Sequence, residues 1–151
     1  MDLSEDIEHV KAMVGKDNGL ASISTTRADG SVQASLVNAG VLDHPIDGSR
    51  VAAFVAAGNA LKLRHLRARP ELTIMWRAGW EWIAVEGEST LVGPDDPLEG
   101  IDAEGLRLLL RAVFQAAGGR HDDFDEYDRV MAAERRTVVL VRPYRIYGNP
   151  R

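Results

Sequence analysis

Lys62 is the residue best placed to do chemistry in this chain. It opens a short helical stretch just after an apolar strand-like run, beside Asn59 and two residues before Arg64. A helix N-terminus offers unpaired backbone N–H groups, and a cation beside it adds full charge, so the pairing suits a phosphate. Arg67, Arg69 and His65 follow at once. Such a basic cluster suits a small anionic ligand better than a polymer. An ordinary solvated, Arg-rich helix has the same sequence signature. The other unusual group is Trp76, Trp80 and Trp82, all the tryptophans of the chain. In a strand, Trp80, Trp82 and Ala84 share one face, and Glu81, Ile83 and Val85 the other. Such rings pack a core, line a dimer interface or wall a planar ligand.

Other chemistries fail on residue type. There is no cysteine, which excludes disulfides, thiolate catalysis and cysteine-held metals. His9, His44, His65 and His121 have no metal-ligand spacing. No G-x-S-x-G elbow, Walker loop or G-x-G-x-x-G fingerprint is present, so any phosphate must be held by side chains. The acidic run Asp122, Asp123, Asp125, Glu126 and Asp128 lacks the glycine and terminal glutamate of a calcium loop, and reads as a capped, solvated helix face.

Composition sets the frame for these residues. The chain has 151 residues, 45% hydrophobic and 27% charged, which suits one domain over 1–151 with one real core. Its net charge of −5 argues against general affinity for nucleic acid. No apolar run has membrane-spanning length and the N-terminus is acidic, so the expected location is cytoplasmic, with no membrane partner.

The elements that must position Lys62 follow from periodicity and turn chemistry. Leu3 to Val14 reads as a helix with Ile7, Val10 and Val14 on one face and Ser4 as N-cap. Leu20 to Thr26 and Val32 to Leu42 are strands joined through Asp29-Gly30. Arg50 to Ala57 is a buried strand and Ala60 to Ala68 a short helix stopped before Pro70. Leu72 to Arg77 and Trp80 to Val92 are strands joined at Ala78-Gly79. Leu106 to Ala117 is a helix ended by Gly118-Gly119, and Asp122 or Asp123 caps another. Thr137 to Val141 is the last strand, which Pro143 is expected to end. Hairpin connections dominate, so an antiparallel barrel with peripheral helices fits better than a parallel sheet.

Four stretches carry a resemblance covering nearly the whole chain. They are D-G-S-V-Q-A-S (29–35), K-L-R-H-L-R-A-R-P (62–70), G-W-E-W-I-A-V-E-G (79–87) and A-G-G-R-H-D-D-F-D-E-Y (117–127), the last followed by Arg135-Arg136 and the closing Tyr147-Gly148. Together they resemble the F420-dependent branch of the pyridoxamine 5'-phosphate oxidase-like, FMN-binding split barrels (flavin/deazaflavin oxidoreductases). The resemblance implies a mainly β fold with peripheral helices, a six-stranded antiparallel split β-barrel. It implies a homodimer with a cofactor groove at each subunit interface. Lys62 and Arg64 would hold the phosphate of coenzyme F420, or alternatively of FMN. Gln33 and Ser35 would lie near the ring system, Ala57 and Asn59 would offer backbone and amide contacts, and Trp80 would come from the partner. Arg67 and Arg69 are candidates for the polyglutamate tail of F420. The implied activity is hydride transfer from the reduced deazaflavin to an unsaturated small molecule; a non-enzymatic F420- or flavin-binding role is the other reading. The chain departs from the family pattern at Ala60, where an Arg is common, at Val55, where a Ser or Thr is, and at Leu36, where an Asn is.

Overall fold

Asp29 fixes the first hairpin. Its Oδ1 accepts from the Ser31 backbone N–H at 2.9 Å and from the Ser31 hydroxyl at 2.6 Å, while Gly30 takes a φ of 86°. The computed structural model describes residues 3–149. In chain order the elements are α1 (Leu3–Val14), β1 (Leu20–Thr26), β2 (Val32–Asp43), β3 (Arg50–Ala56), α2 (Leu61–Ala68), β4 (Glu71–Ala78), β5 (Glu81–Val92), α3 (Ala103–Ala116), α4 (Phe124–Ala133) and β6 (Thr137–Gly148). The six strands close into an antiparallel barrel in the order β1-β2-β3-β6-β5-β4.

Alternation along the strands fills the barrel. Ala21 and Ile23, Leu72, Ile74 and Trp76, and Ile83 and Val85 point inward with Phe54, Val139, Val141 and Ile146. Helices α1 and α2 contribute Ile7, Val10 and Val14, and Leu63 and Leu66, to the same cluster. A second cluster lies outside the barrel. There Val51, Ala53, Val138 and Leu140 meet Leu109, Leu110 and Val113 of α3 and Tyr127 of α4. The Tyr127 hydroxyl donates to the Leu110 carbonyl at 3.0 Å, and burial pushes its pKa up to about 12.

Helices α3 and α4 cover the outer face only around β3, β6 and the end of β5 and β2. Across the remainder, the pairing register aligns Leu36, Ser22, Met75, Ala84 and Tyr147 in one outward row over five strands. Leu36 is 72% exposed in this row and Met75 37%.

Four details differ from the sequence reading. Ser4 lies inside α1 rather than at its cap. Helix α3 begins before Leu106 because Asp102 caps it, accepting from the Gly105 N–H at 2.7 Å. Trp80 sits in the β4–β5 turn, so it does not alternate with Trp82 in a strand. Strand β6 continues through Pro143 to Gly148: Gly87 pairs with Pro143 and Glu86 with Arg145, so a bulge at Tyr144 absorbs the proline. Of the two proposed caps of α4, Asp123 is the one used, accepting from Glu126 N–H at 3.1 Å. Among the described residues, no helix is long and apolar enough to cross a membrane.

Helix α3 docks on the barrel through Gly40. A Cβ there would lie 2.4 Å from the carbonyl oxygen of Ala116, a backbone atom that cannot rotate away. Gly40→Ala should therefore destabilise the fold by about 1–3 kcal/mol, the usual cost of overpacking a closed contact. Urea unfolding measures this directly; an unchanged midpoint would show that α3 is free to shift.

Candidate functional site

Strand β2 serves two partners in turn. Residues 32–38 pair with β1, and only residues 39–43 pair with β3. The β3 edge of 32–38 thus has no strand beside it. Extending the Ala39–Phe54 register would set Ser35 against Gly58 and Gln33 against Ala60. The chain turns away instead. Gly58 donates its N–H to the Glu134 carbonyl at 3.0 Å, and a Cβ on it would lie 2.6 Å from the Arg135 carbonyl oxygen. This close approach ties the end of β3 to the junction of α4 and β6. It opens a gap with β2 on one side and residues 55–62 on the other.

Two cavities border the gap. One, of about 200 Å³, is lined by Asn38, Val55, Phe114, Tyr127, Met131 and Arg136. The other, of about 610 Å³, is lined by Ala57, Gly58, Asn59, Asp95, Arg135 and Arg136, with Ala133 and Glu134. Arg136 belongs to both.

Lys62 stands at the start of α2, half-buried, with no ion pair or hydrogen bond to its amine among the described residues. Burial pulls its pKa down, and the charge of Arg136 lowers it further. Ala60 occupies the N-cap position without a side-chain hydrogen bond; the Leu63 N–H donates to the Ala60 carbonyl at 3.2 Å, and the Leu61 and Lys62 amides have no capping side chain. Arg136 gives its Nε to Glu134 at 2.8 Å. Arg136 is thus paired with Glu134, and Arg135 with Asp95, which leaves Lys62 as the cation here without a carboxylate among the described residues.

The other sequence candidates are distributed differently. Arg64 is exposed and lies roughly 200° around α2 from Lys62. Arg67 makes two bonds to Asp96, at 2.9 and 2.6 Å, and Arg69 donates to the Thr26 carbonyl at 2.9 Å. Both tail candidates therefore have internal partners. His65 is buried against the Thr25 hydroxyl at 2.9 Å. Gln33 and Ser35 leave β2 on the same side as Thr25 and Ile23. Both are half-buried, and Gln33 Oε1 is buried without a hydrogen-bond partner. Asn59 is exposed and Ala57 half-buried on the opposite rim. Leu36 points outward, away from the Ser35 side.

Trp80 is 94% exposed at the far end of β4. Strand β4 leaves α2 at Glu71 and ends at Ala78, a span of about 23 Å. Within this chain Trp80 and Lys62 therefore lie toward opposite ends of the barrel. Trp76 is a core residue whose indole donates to the Ala39 carbonyl at 3.0 Å. Trp82 packs edge-on against Tyr147, with ring centroids 6.0 Å apart.

Arg136 was not singled out as a site residue by sequence reasoning. Its only signal was the Arg135-Arg136 pair just before the last strand. The acidic run near α4 is structural: Asp123 caps the helix, and Asp128 binds Arg107 at 2.9 Å and Arg111 through two bonds. Among the described residues no group of His, Asp or Glu is arranged to hold a metal.

No protein-family model matches the chain. Solved structures do share its fold. A protein of unknown function from Agrobacterium tumefaciens matches with a TM-score of 0.62 and 15% identity, over 96% of this chain. This chain spans only 56% of the length of that protein. A pyridoxamine 5'-phosphate oxidase-related, FMN-binding protein from Nostoc punctiforme matches at 0.65 with 12% identity, over 98% of this chain and 86% of the other. An F420 reductase matches at 0.58 with 16% identity, over 91% and 94%. Proteins described by their heme binding or storage share the fold too. The chain therefore has the fold of the FMN-binding split barrels, and that fold alone does not select a ligand.

The depressed pKa of Lys62 fixes the sign of a pH effect. Between the lowered folded value and the ordinary lysine value, the unfolded chain holds a proton the folded chain has released. Stability contributed by this site therefore rises with pH across that window. Lys62→Met should raise the melting temperature at neutral pH, with the difference from wild type closing as pH climbs through the window. Added phosphate should stabilise wild type more than it stabilises Lys62→Met, at equal ionic strength set with sulfate-free chloride controls. Thermal melts across pH, with and without phosphate, check both; a variant less stable at neutral pH and equally responsive to phosphate would contradict this account.

Proposed function

We propose that this chain is a homodimeric oxidoreductase that binds coenzyme F420 in the gap beside β2. The observation that carries the reading is Lys62: half-buried, without an anionic partner among the described residues, and next to Arg136. A desolvated cation beside a second cation is unfavourable until an anion joins them. A cofactor phosphate meets that need. The orphaned Gln33 Oε1 is a second fit, because it wants an N–H donor such as a deazaflavin or flavin ring presents.

In this reading Lys62 and Arg136 hold the phosphate, with the uncapped amides of α2 assisting. Gln33 and Ser35 orient the ring from one rim, and Ala57 and Asn59 face it from the other. Arg64, exposed on α2, is left for the anionic tail, since Arg67 and Arg69 are engaged. The bound cofactor supplies hydride transfer to an unsaturated small molecule. The residues of the chain bind, orient and exclude water. FMN is the alternative ligand, favoured by those same internal bonds of Arg67 and Arg69, which remove two cations from the service of a polyglutamate tail.

The uncovered sheet face is the proposed dimer surface. Leu36, Met75 and Tyr147 sit in its central row, and Trp80 projects from its end. A partner docked there can bring its own Trp80 to a groove that this subunit's Trp80 cannot reach. Light scattering should give twice the chain mass for wild type. A Leu36→Glu, Met75→Glu double variant should be monomeric and at least tenfold weaker for cofactor, since burying two unpaired charges is costly; a dimeric double variant would rule this face out.

Fluorescence titration with F420 and, separately, with FMN tests the cofactor. Micromolar F420 binding weakened about tenfold or more in Lys62→Ala is the expected result, the loss of one charge-assisted contact being worth about 1.5–3 kcal/mol. Binding of FMN alone would reassign the cofactor. Binding of neither would overturn the enzyme reading and leave the barrel.

A further inference from the structure

A third cavity, of about 480 Å³, lies between α3, α4 and the segment that joins β5 to α3. Pockets for small organic molecules measure roughly 300–1,000 Å³. Its walls are Val92, Leu98, Ile101, Leu106 and Leu110, an aliphatic lining without aromatic rings. The proposed phosphate site does not need this space.

The polar groups at its rim are unequally engaged. Asp102 accepts the Gly105 N–H as the cap of α3. Asp128 accepts from Arg107 and Arg111 through three bonds. Arg107 spends its remaining donors on Glu104. Each of these carboxylates therefore has its partner. Arg136 differs: its Nε goes to Glu134, and its terminal nitrogens have no acceptor among the described residues. The rim thus offers the terminal nitrogens of Arg136 as free donors, while Asp128 is held by two arginines and Asp102 is engaged as a helix cap through one of its oxygens. The occupant that matches is aliphatic in its body and anionic at one end.

We infer that this cavity binds a small aliphatic monocarboxylate, its chain among Leu98, Ile101, Leu106 and Leu110 and its carboxylate on Arg136. Met131 and Arg136 also line the cavity beside Asn38 and Val55. The acid end therefore lies at the wall between this pocket and the β2 gap. Arg136 is shared with the proposed phosphate site, so the inference is tested with that gap empty.

The test uses the full chain without F420 or FMN, and decanoate as the probe with decanol as its uncharged counterpart. Calorimetry measures affinity, and the Met131 methyl resonance, assigned through Met131→Leu, reports the site. Ala132→Phe adds bulk at an exposed rim position where it does not disturb the core, and Leu106→Trp fills the interior. The expected result is saturable decanoate binding that shifts Met131. Each filling variant should weaken it at least about tenfold, as should Arg136→Met by loss of a charge-assisted contact. Decanol should bind wild type about as weakly as decanoate binds Arg136→Met. If Leu106→Trp loses its native circular dichroism, Ala132→Phe decides alone. No saturable binding up to millimolar decanoate overturns the inference. So does binding that ignores Ala132→Phe, or that Arg136→Met leaves intact. None of these failures touches the cofactor reading, which Lys62→Ala and F420 test separately.

Discussion

The contact between Gly58 and the α4–β6 junction governs the rest of the site. A hydrogen bond of 3.0 Å to Glu134 and a fit that admits no Cβ against Arg135 pull the chain off β2 just where a longer hairpin would have continued. Two consequences follow from one event. The β2 edge from 32 to 38 loses its neighbour, which creates a gap. The same turn starts α2, which sets Lys62 near Arg136 at that gap. Backbone left without a strand partner beside clustered positive charge is a poor arrangement for a purely structural region, because both features are costly unless something joins them.

The covering of the barrel completes this logic. An antiparallel sheet needs only one face buried, yet α3 and α4 protect part of the other. Gly19 and Gly40 let the end of α3 reach the barrel backbone, since a Cβ at either would lie within about 2.5 Å of a carbonyl of Ala117 or Ala116. The uncovered part is not uniformly polar. Leu36, Met75 and Tyr147 lie in its row, flanked by the Glu86 carboxylate that accepts from Tyr147 at 2.6 Å and from Arg145 at 2.6 Å. This half-apolar, uncovered face is the surface that the proposed dimer would use.

Much of the fold was legible because its signals are local. Asp29-Gly30, the inward alternation at Leu72, Ile74 and Trp76, and the Asp123 cap each operate over a few residues. The errors came where distant contacts decide. Pro143 ends a strand by its own chemistry, yet the bulge opposite Gly87 carries β6 past it. Trp80 and Trp82 alternate on paper, but the turn takes Trp80 out of the strand. The site divides in the same way. Lys62 could be picked from its position on α2. Arg136 could not be tied to it, because some seventy residues separate them and only the Gly58 turn brings their elements together. Arg67 looked as available as Lys62 until Asp96, from a loop beyond β5, proved to hold it.

This last contrast bears on what distinguishes a binding cation from a structural one. Arg67, Arg107, Arg111 and Arg135 each face a carboxylate of the same chain. Fifteen of the eighteen basic residues are Arg, whose planar fork suits such paired geometry. Lys62 departs from the pattern in residue type and in partner. Lysine loses its proton more readily than arginine when buried. Burial already draws the pKa of Lys62 down, so lysine at this half-buried position of α2 costs the fold less than an unpaired arginine would. In the proposed site, the residue type, the lowered pKa and the lack of an anionic partner among the described residues are three aspects of one arrangement, a cation left for a ligand.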